Sequence, residues 1–356
     1  MDINTILIIN PGSTSTKVAV YQEETPLFVE NIQHSGEELA PYSDIYQQYD
    51  LRREVILNCL RRHGVEINSL SAVMARGGLL PPCRSGAYQV NDEMVHVLRH
   101  HPQNIHASNL GGILAKSIAD QAGVKAYIYD PVTVDELTPI HKVTGLVEME
   151  RKGMGHNLNM RACAMKYAQK AGKLYEELNL IVAHLGGGIT LSLHQQGRMT
   201  DMISDEEGPF SPERAGGLPV FQVVKMATSG QYDYRSLMDK IKNHAGLEAH
   251  LGTKDAQEVE RRVRSGDEHA ALVYKAMALN VAKNIAKLAV PVKGKVDAIL
   301  LTGGIAYSQL FTGWIQEYVA FIAPIICLPG ENEMEALALG CLRVLRGEEK
   351  AHNFLI

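Results

Sequence analysis

Thr5-Ile-Leu-Ile-Ile-Asn10-Pro-Gly12-Ser13-Thr-Ser15-Thr-Lys17-Val-Ala-Val-Tyr21 carries the first structural information in the chain. An apolar run stops at Asn10, a Pro/Gly/Ser/Thr segment follows, and a partly alternating run resumes at Lys17. That is a strand, a tight turn and a second strand. The same plan recurs in Leu180-Ile-Val-Ala-His184, Leu-Gly186-Gly187-Gly188 and Ile-Thr-Leu-Ser-Leu-His194, about half of the 356 residues further on. Two such hairpins, one opening each half, predict two related lobes that face each other across a cleft.

Outward from these hairpins, apolar runs predict strands at Ala72–Ala75, Ala126–Tyr129 and Ala298–Leu301. Helical periodicity covers Leu51–Arg62, Asn109–Ala122, Asn159–Lys170, Glu268–Ala289 and Glu333–Leu345. In the helix from Glu268, the apolar stripe is read through Ala271, Leu272, Lys275, Leu279, Ala282 and Ile285. Helices alternating with buried strands give an α/β class. The break between lobes is expected between Pro139 and Arg151. The last helix should cross back to the first lobe, so the expected domains are 1–145 with 333–356, and 146–332.

Lys+Arg number 35 and Asp+Glu 40, a net charge of −5. This mild acidity argues against nucleic-acid or membrane-surface partners, so an anionic ligand would have to be held locally. Met1-Asp2-Ile3-Asn4 has no basic n-region, and no run approaches the ~20 apolar residues of a membrane helix. The five cysteines form no C-x-x-C pair, so neither a zinc site nor a disulfide framework is indicated. A cytoplasmic protein is expected.

Chemistry concentrates at the glycine turns. Gly12, Ser13, Ser15 and Lys17 can turn amides, hydroxyls and one ammonium toward a phosphate. The second glycine of a Walker A loop is missing, and a strand follows rather than a helix. His184-Leu-Gly-Gly-Gly188 and Leu301-Thr-Gly303-Gly304-Ile305 are two more glycine turns at strand ends, where backbone can approach a ligand closely. Asp130 follows an apolar strand, where carboxylates in α/β folds face ligand crevices. Glu333 opens the last helix, either complementing its dipole or reaching a metal. Arg214 sits in the glycine-rich loop Pro-Glu-Arg-Ala-Gly-Gly217. His106, His156 and His184 are the best placed of the 14 histidines, but their spacing fits no zinc motif.

Asn10-x-Gly-Ser-x-Ser-x-Lys17, His184-Leu-Gly-x-Gly188, Gly303-Gly304-Ile305 and Asn332-Glu333, in this order, resemble the acetokinase family of the actin/sugar-kinase/heat-shock-protein ATPase superfamily. Ala75-Arg76-Gly-Gly, His106-Ala-Ser-Asn, Asp130-Pro-Val-Thr-Val-Asp135 and Gly208-Pro-Phe-Ser-Pro-Glu-Arg214 are similar to the butyrate kinases within it. The resemblance implies two actin-like (ribonuclease H-like) lobes of mixed sheets flanked by helices, with a nucleotide cleft, in a homodimer or larger homo-oligomer. It implies Mg²⁺-dependent phosphoryl transfer between ATP and butyrate, giving ADP and butyryl phosphate. Another short acid, or ATP hydrolysis without an acid, are the alternatives.

Roles follow from the resemblance alone. Asn10, Ser13, Ser15 and Lys17 would lie near the transferring phosphoryl group. Asp130 and Glu333 would hold or orient Mg²⁺. Arg214 with His156 or His184 would stabilise phosphoryl charge. Gly186, Gly187 and Gly188 would pass the nucleotide phosphates, Gly303, Gly304 and Ile305 would cradle adenosine, and His106 would border the acid. Two departures matter. Val73 stands where acetate kinases have an arginine, which leaves Arg76 to supply the cation. Gly155-His156-Asn-Leu-Asn-Met160 replaces Phe-His-Gly-Thr-Ser-His; Gly155 is expected to leave a roomier acyl pocket.

Overall fold

The computed structural model describes residues 3–355. Their contacts divide the chain into two units, Met1–Asp135 with Asn332–Ile356, and Glu136–Glu331. The fold is α/β, with one mixed sheet in each unit and helices packed on it.

In the first unit, β1 (Thr5–Pro11), β2 (Ser15–Gln22) and β3 (Thr25–Gln33) form an antiparallel meander. On the other side of β1, β4 (Ala72–Arg76) and then β6 (Lys125–Tyr129) run parallel to it. The short β5 (Ala87–Gln89) pairs antiparallel with β6, and the two-residue strand His352–Asn353 closes that edge. Ile6 to Ile9 are fully buried, as expected of a central strand covered on both faces. The covers include the helices Tyr49–Arg62, Asn109–Ala122 and Glu333–Leu345. Asn109–Ala122 stops at Gly123, whose φ of 71° is the left-handed C-cap that glycine adopts most easily.

The second unit repeats the plan. β7 (Asn179–Leu185), β8 (Ile189–Gln195) and β9 (Arg198–Ile203) form an antiparallel meander, and β10 (Ala298–Gly303) and β11 (Ile325–Pro329) run parallel to β7. The spatial order β3-β2-β1-β4-β6 therefore matches β9-β8-β7-β10-β11 strand for strand. The two glycine-turn hairpins occupy equivalent places, which is the internal repeat read from the sequence.

The helix Glu268–Ala289 crosses this second sheet. Asp267 caps it by accepting from the Ala270 amide. Its buried face runs through Ala270, Val273, Tyr274, Met277, Val281 and Ile285, whereas Leu272 is 69% exposed. The stripe read from sequence was thus partly out of phase, because this helix is apolar around most of its circumference and periodicity alone does not select one face. No described helix is long and apolar enough to cross a membrane. All five cysteines are free thiols.

Candidate active site

The site in the first unit is built where parallel strands end. Asn10 ends the apolar run of β1, Arg76 ends β4, and Asp130 follows β6; Glu333 is the first residue of the last helix. Such carboxyl-end crevices are the usual ligand positions of α/β sheets. Asn10 is buried and donates its side-chain amide to Glu333 Oε2 at 2.7 Å. Arg76 Nη1 lies 2.7 Å from Glu333 Oε1. Lys17 stands directly across the ladder from Asn10, on the same face of the sheet, half-buried and with no ion pair among the described residues. The site therefore carries two cationic side chains, Lys17 and Arg76, and two carboxylates, Asp130 and Glu333.

Gly12 closes the β1–β2 turn by donating to Ser15 O at 2.8 Å. A Cβ at Gly12 would meet Ser15 Oγ at 3.1 Å, so the turn favours glycine there. Ser13 is exposed and Ser15 half-buried. Arg52, fully buried on the helix Tyr49–Arg62, holds this turn from behind by donating to Ser15 O, Thr16 Oγ1 and Ser13 O at 2.9, 3.0 and 3.2 Å. Sequence reasoning missed Arg52, since an arginine on an amphipathic helix reads as a solvated charge.

Asp130 is buried, has a φ of 38°, and accepts from the Gly86 amide at 2.6 Å. His106 lies in an exposed loop, where Nδ1 accepts from the Ser108 amide at 3.2 Å. Contact with protein on part of its ring, and then the nearby Arg76 charge, hold its imidazole below the usual range. Val73 is fully buried inside β4, where an arginine would have no water; Arg76 ends the same strand.

In the second unit, His184 is separated from the triple-glycine turn by one residue, and His156 stands at the N-terminal boundary of the helix Asn157–Ala171 without a side-chain capping bond. Their rings stack at 3.8 Å and 12°. His156 Nδ1 is 2.9 Å from Thr190 Oγ1, and His184 Nδ1 is 3.3 Å from Asn159 Oδ1. His184 Nε2 stands 3.2 Å from Glu331 Oε1, an ion-pair distance without hydrogen-bond alignment. Arg214 pairs with Asp205 and lies over Gly188, where a Cβ would sit 2.9 Å from its Nη1.

A cavity of about 710 Å³ opens beside these turns, lined by Gly186, Gly187, Gly304 and Ile305. Its wall mixes charges: Lys254, Arg261 and Arg264 stand among Glu213, Asp255, Glu260 and Glu331, with Lys254 paired to Glu213 and Arg264 to Glu260, and Tyr274 and Ser308 bring hydroxyls. Neither these three cations nor these two hydroxyls were singled out in the sequence: Arg261, Arg264 and Tyr274 lie within helices, and Lys254 and Ser308 in short connecting segments, where a charge or a hydroxyl has no distinctive local signature. Gly188 and Gly303 do not line the cavity. Gly303 packs instead: at φ 88°, a Cβ there would meet Leu185 O at 2.4 Å.

The expected extra space at Gly155 is absent. A Cβ there would lie 2.9 Å from Met202 Sδ and 3.3 Å from Thr190, so neighbouring side chains fill the place of a larger residue.

Asp130 and Glu333 are the hard oxygen donors available to Mg²⁺. That ion usually takes one or two carboxylates, with substrate phosphates and waters completing its shell. Carboxylate oxygens are the donor type this ion takes; Asp130 already accepts from the Gly86 amide, and both oxygens of Glu333 are engaged by Arg76 and Asn10, which suits Glu333 to orienting the surroundings of an ion.

Residues 147–311 match the family model described as the acetokinase family. That segment is acetokinase-like. Across nearly the whole chain, solved structures share the fold. An acetate kinase from Porphyromonas gingivalis is 16% identical, with a TM-score of 0.79, and covers 96% of this chain and 100% of its own. An acetate kinase from Entamoeba histolytica is 14% identical, with a TM-score of 0.75, covering 95% of this chain and 98% of its own. A propionate kinase from Francisella tularensis is 17% identical, with a TM-score of 0.70, covering 95% and 99%. At these identities the likeness shows the acetate-kinase fold.

Proposed function

We propose that the protein is a short-chain carboxylate kinase of the acetokinase family, transferring the γ-phosphoryl group of ATP to butyrate to give ADP and butyryl phosphate. The observation that carries this reading is the 710 Å³ cavity at the Gly186–Gly187 and Gly304–Ile305 turns, inside the segment that matches the family. Glycine backbone at the two turns and the Arg261 side chain suit a nucleotide's phosphates, Lys254 and Arg264 being paired with Glu213 and Glu260, and the chamber is large enough for a nucleotide.

A carboxylate is already a nucleophile at neutral pH, so the reaction requires no general base. Positioning and charge neutralisation supply the rate. In this reading Arg76 and His106 bind the acid. Asn10, Ser13, Ser15 and Lys17 hold the phosphoryl group, and Arg214 with His156 and His184 neutralises charge that develops on it. Glu333 fixes Arg76 and Asn10. Asp130 would hold Mg²⁺, which neutralises phosphate charge when bound. A cytoplasmic homodimer or larger homo-oligomer belongs to the same proposal.

A hydroxylamine trap tests it. Purified protein with ATP and Mg²⁺ is offered acetate, propionate, butyrate and isobutyrate, and the hydroxamates are measured. Highest kcat/KM with butyrate is expected. Preference for another acid would replace butyrate, and ATP hydrolysis that forms no hydroxamate with any acid would overturn the kinase reading.

A further inference from the structure

The far edge of the first sheet carries a cluster that this activity does not use. Glu30 on β3, Cys59 on the helix Tyr49–Arg62 and His63 at its C-cap bring one oxygen, one sulfur and one nitrogen within 4.8 Å of one another. Cys59 and His63 are four residues apart, a spacing that places both on one helix face. From these donors we infer that Glu30, Cys59 and His63 form a binding site for a divalent ion of the zinc class.

The donor spacing suits such an ion. Cys59 Sγ lies 3.4 Å and His63 Nε2 3.1 Å from the same carboxylate oxygen, Glu30 Oε2. With metal–ligand bonds of 2.0–2.3 Å, a tetrahedral centre needs its ligand atoms about 3.3–3.8 Å apart. Small side-chain movements therefore suffice.

Two neighbours hold the ligands in place. Phe28 stacks on the His63 ring at 3.9 Å and 9°, and Arg62 Nη2 grips the other oxygen of Glu30 at 2.5 Å. Support of this kind orients metal ligands. Arg62 also neutralises part of the carboxylate charge, which lowers affinity, and the thiol holds its proton firmly because of burial and then Glu30. The ion must displace that proton: the thiol becomes a metal-bound thiolate, one H⁺ goes to solvent, and no oxidation state changes. Cys59 is fully buried, while the Glu30 and His63 side chains are 35% and 38% exposed, so the site opens to water on one side and leaves a fourth position for it.

Mixed sulfur, nitrogen and oxygen donors favour zinc-class ions over Mg²⁺ or Ca²⁺. Bound there, the ion would clasp the outermost strand of the sheet to the helix behind it. No local motif announces the site, because the third ligand lies 29 residues from Cys59.

Cobalt(II) reports the site directly. The full-length protein, stripped with chelator, is titrated with Co²⁺. The expected result is one equivalent bound, with a thiolate-to-metal charge-transfer band and tetrahedral visible bands that Zn²⁺ abolishes. Cys59→Ser should remove the charge-transfer band, which also excludes the exposed Cys327 as its source. His63→Gln should weaken binding by about tenfold or more and leave hydroxamate formation unchanged. Because Cys59 is buried, its variant could fail to fold; His63→Gln, at the exposed rim, then decides. Absence of the band in the wild-type protein, or full-strength binding in His63→Gln, overturns the site, and neither result bears on the kinase reading.

Discussion

Arg76 Nη1 and Glu333 Oε1 are 2.7 Å apart, and the other oxygen of Glu333 accepts from Asn10 at the same distance. One buried carboxylate thus fixes side chains from the ends of two neighbouring parallel strands. Glu333→Gln keeps a hydrogen-bonding group for Asn10 but ends the ion pair, leaving a half-buried guanidinium without its anion. The expected outcome is a loss of about 10- to 100-fold in kcat/KM for the acid. The KM for ATP should change little. Steady-state kinetics with both substrates checks this, and unchanged acid kinetics would remove the pair from the acid site.

Gly303 and Gly304 are adjacent but meet different constraints. At Gly303, φ is 88° and an added Cβ would strike the Leu185 carbonyl. Gly303→Ala should cost on the order of 3 kcal/mol, from left-handed strain together with overpacking. At Gly304 a Cβ would meet nothing within 4 Å, and the residue lines the cavity. Gly304→Ala should therefore fold normally and act, if at all, on the KM for ATP. Urea denaturation of both variants separates the effects; equal stability would contradict the packing at Gly303.

The same contrast marks what was legible in the sequence. Asn10, Arg76, Asp130, His184 and Gly303 could be found because each interrupts or ends an apolar strand, where period-two patterning stops. Glu333 was visible as the first residue of a helix. Arg52 and Arg261 were not: an arginine on a helix has the same local signature whether it is solvated, buried under a turn or set against a cavity. Gly155 misled for a related reason. A small residue signals free space only when its neighbours leave it empty, and here Met202 and Thr190 fill it.

His194 lies fully buried in the second hairpin, with Nδ1 2.6 Å from Tyr175 Oη and Nε2 2.8 Å from Ser192 Oγ. Burial, and then the Arg161 charge, push its imidazole down to about 3. The ordinary value is about 6.5. Between those values the unfolded chain binds more protons than the folded one at this residue. Its contribution to stability is therefore complete above about pH 6.5 and falls as pH drops toward 3. In histidine-selective NMR the His194 ring signal should stay constant from pH 5 to 8. A midpoint near 6.5 would show that the ring is not enclosed as described.

Arg214 carries the sharpest expectation for catalysis. Its guanidinium pairs with Asp205 and lies over Gly188, at the edge of the triple-glycine turn. In the proposed reaction it meets charge that grows as the phosphoryl group transfers, so its loss should act on kcat more than on ground-state binding. Arg214→Ala is expected to lower kcat by about 10²-fold or more, with only a small change in KM for ATP. Arg214→Lys should recover part of the loss, because it restores charge but not the planar fork. Asp205→Asn supplies the control: it frees the guanidinium without removing it, and should leave more activity than Arg214→Ala. Initial rates of hydroxamate formation at saturating ATP measure all three. Full turnover in a folded Arg214→Ala enzyme would exclude this residue from the transition state and leave His156, His184 and Lys17 to carry the charge.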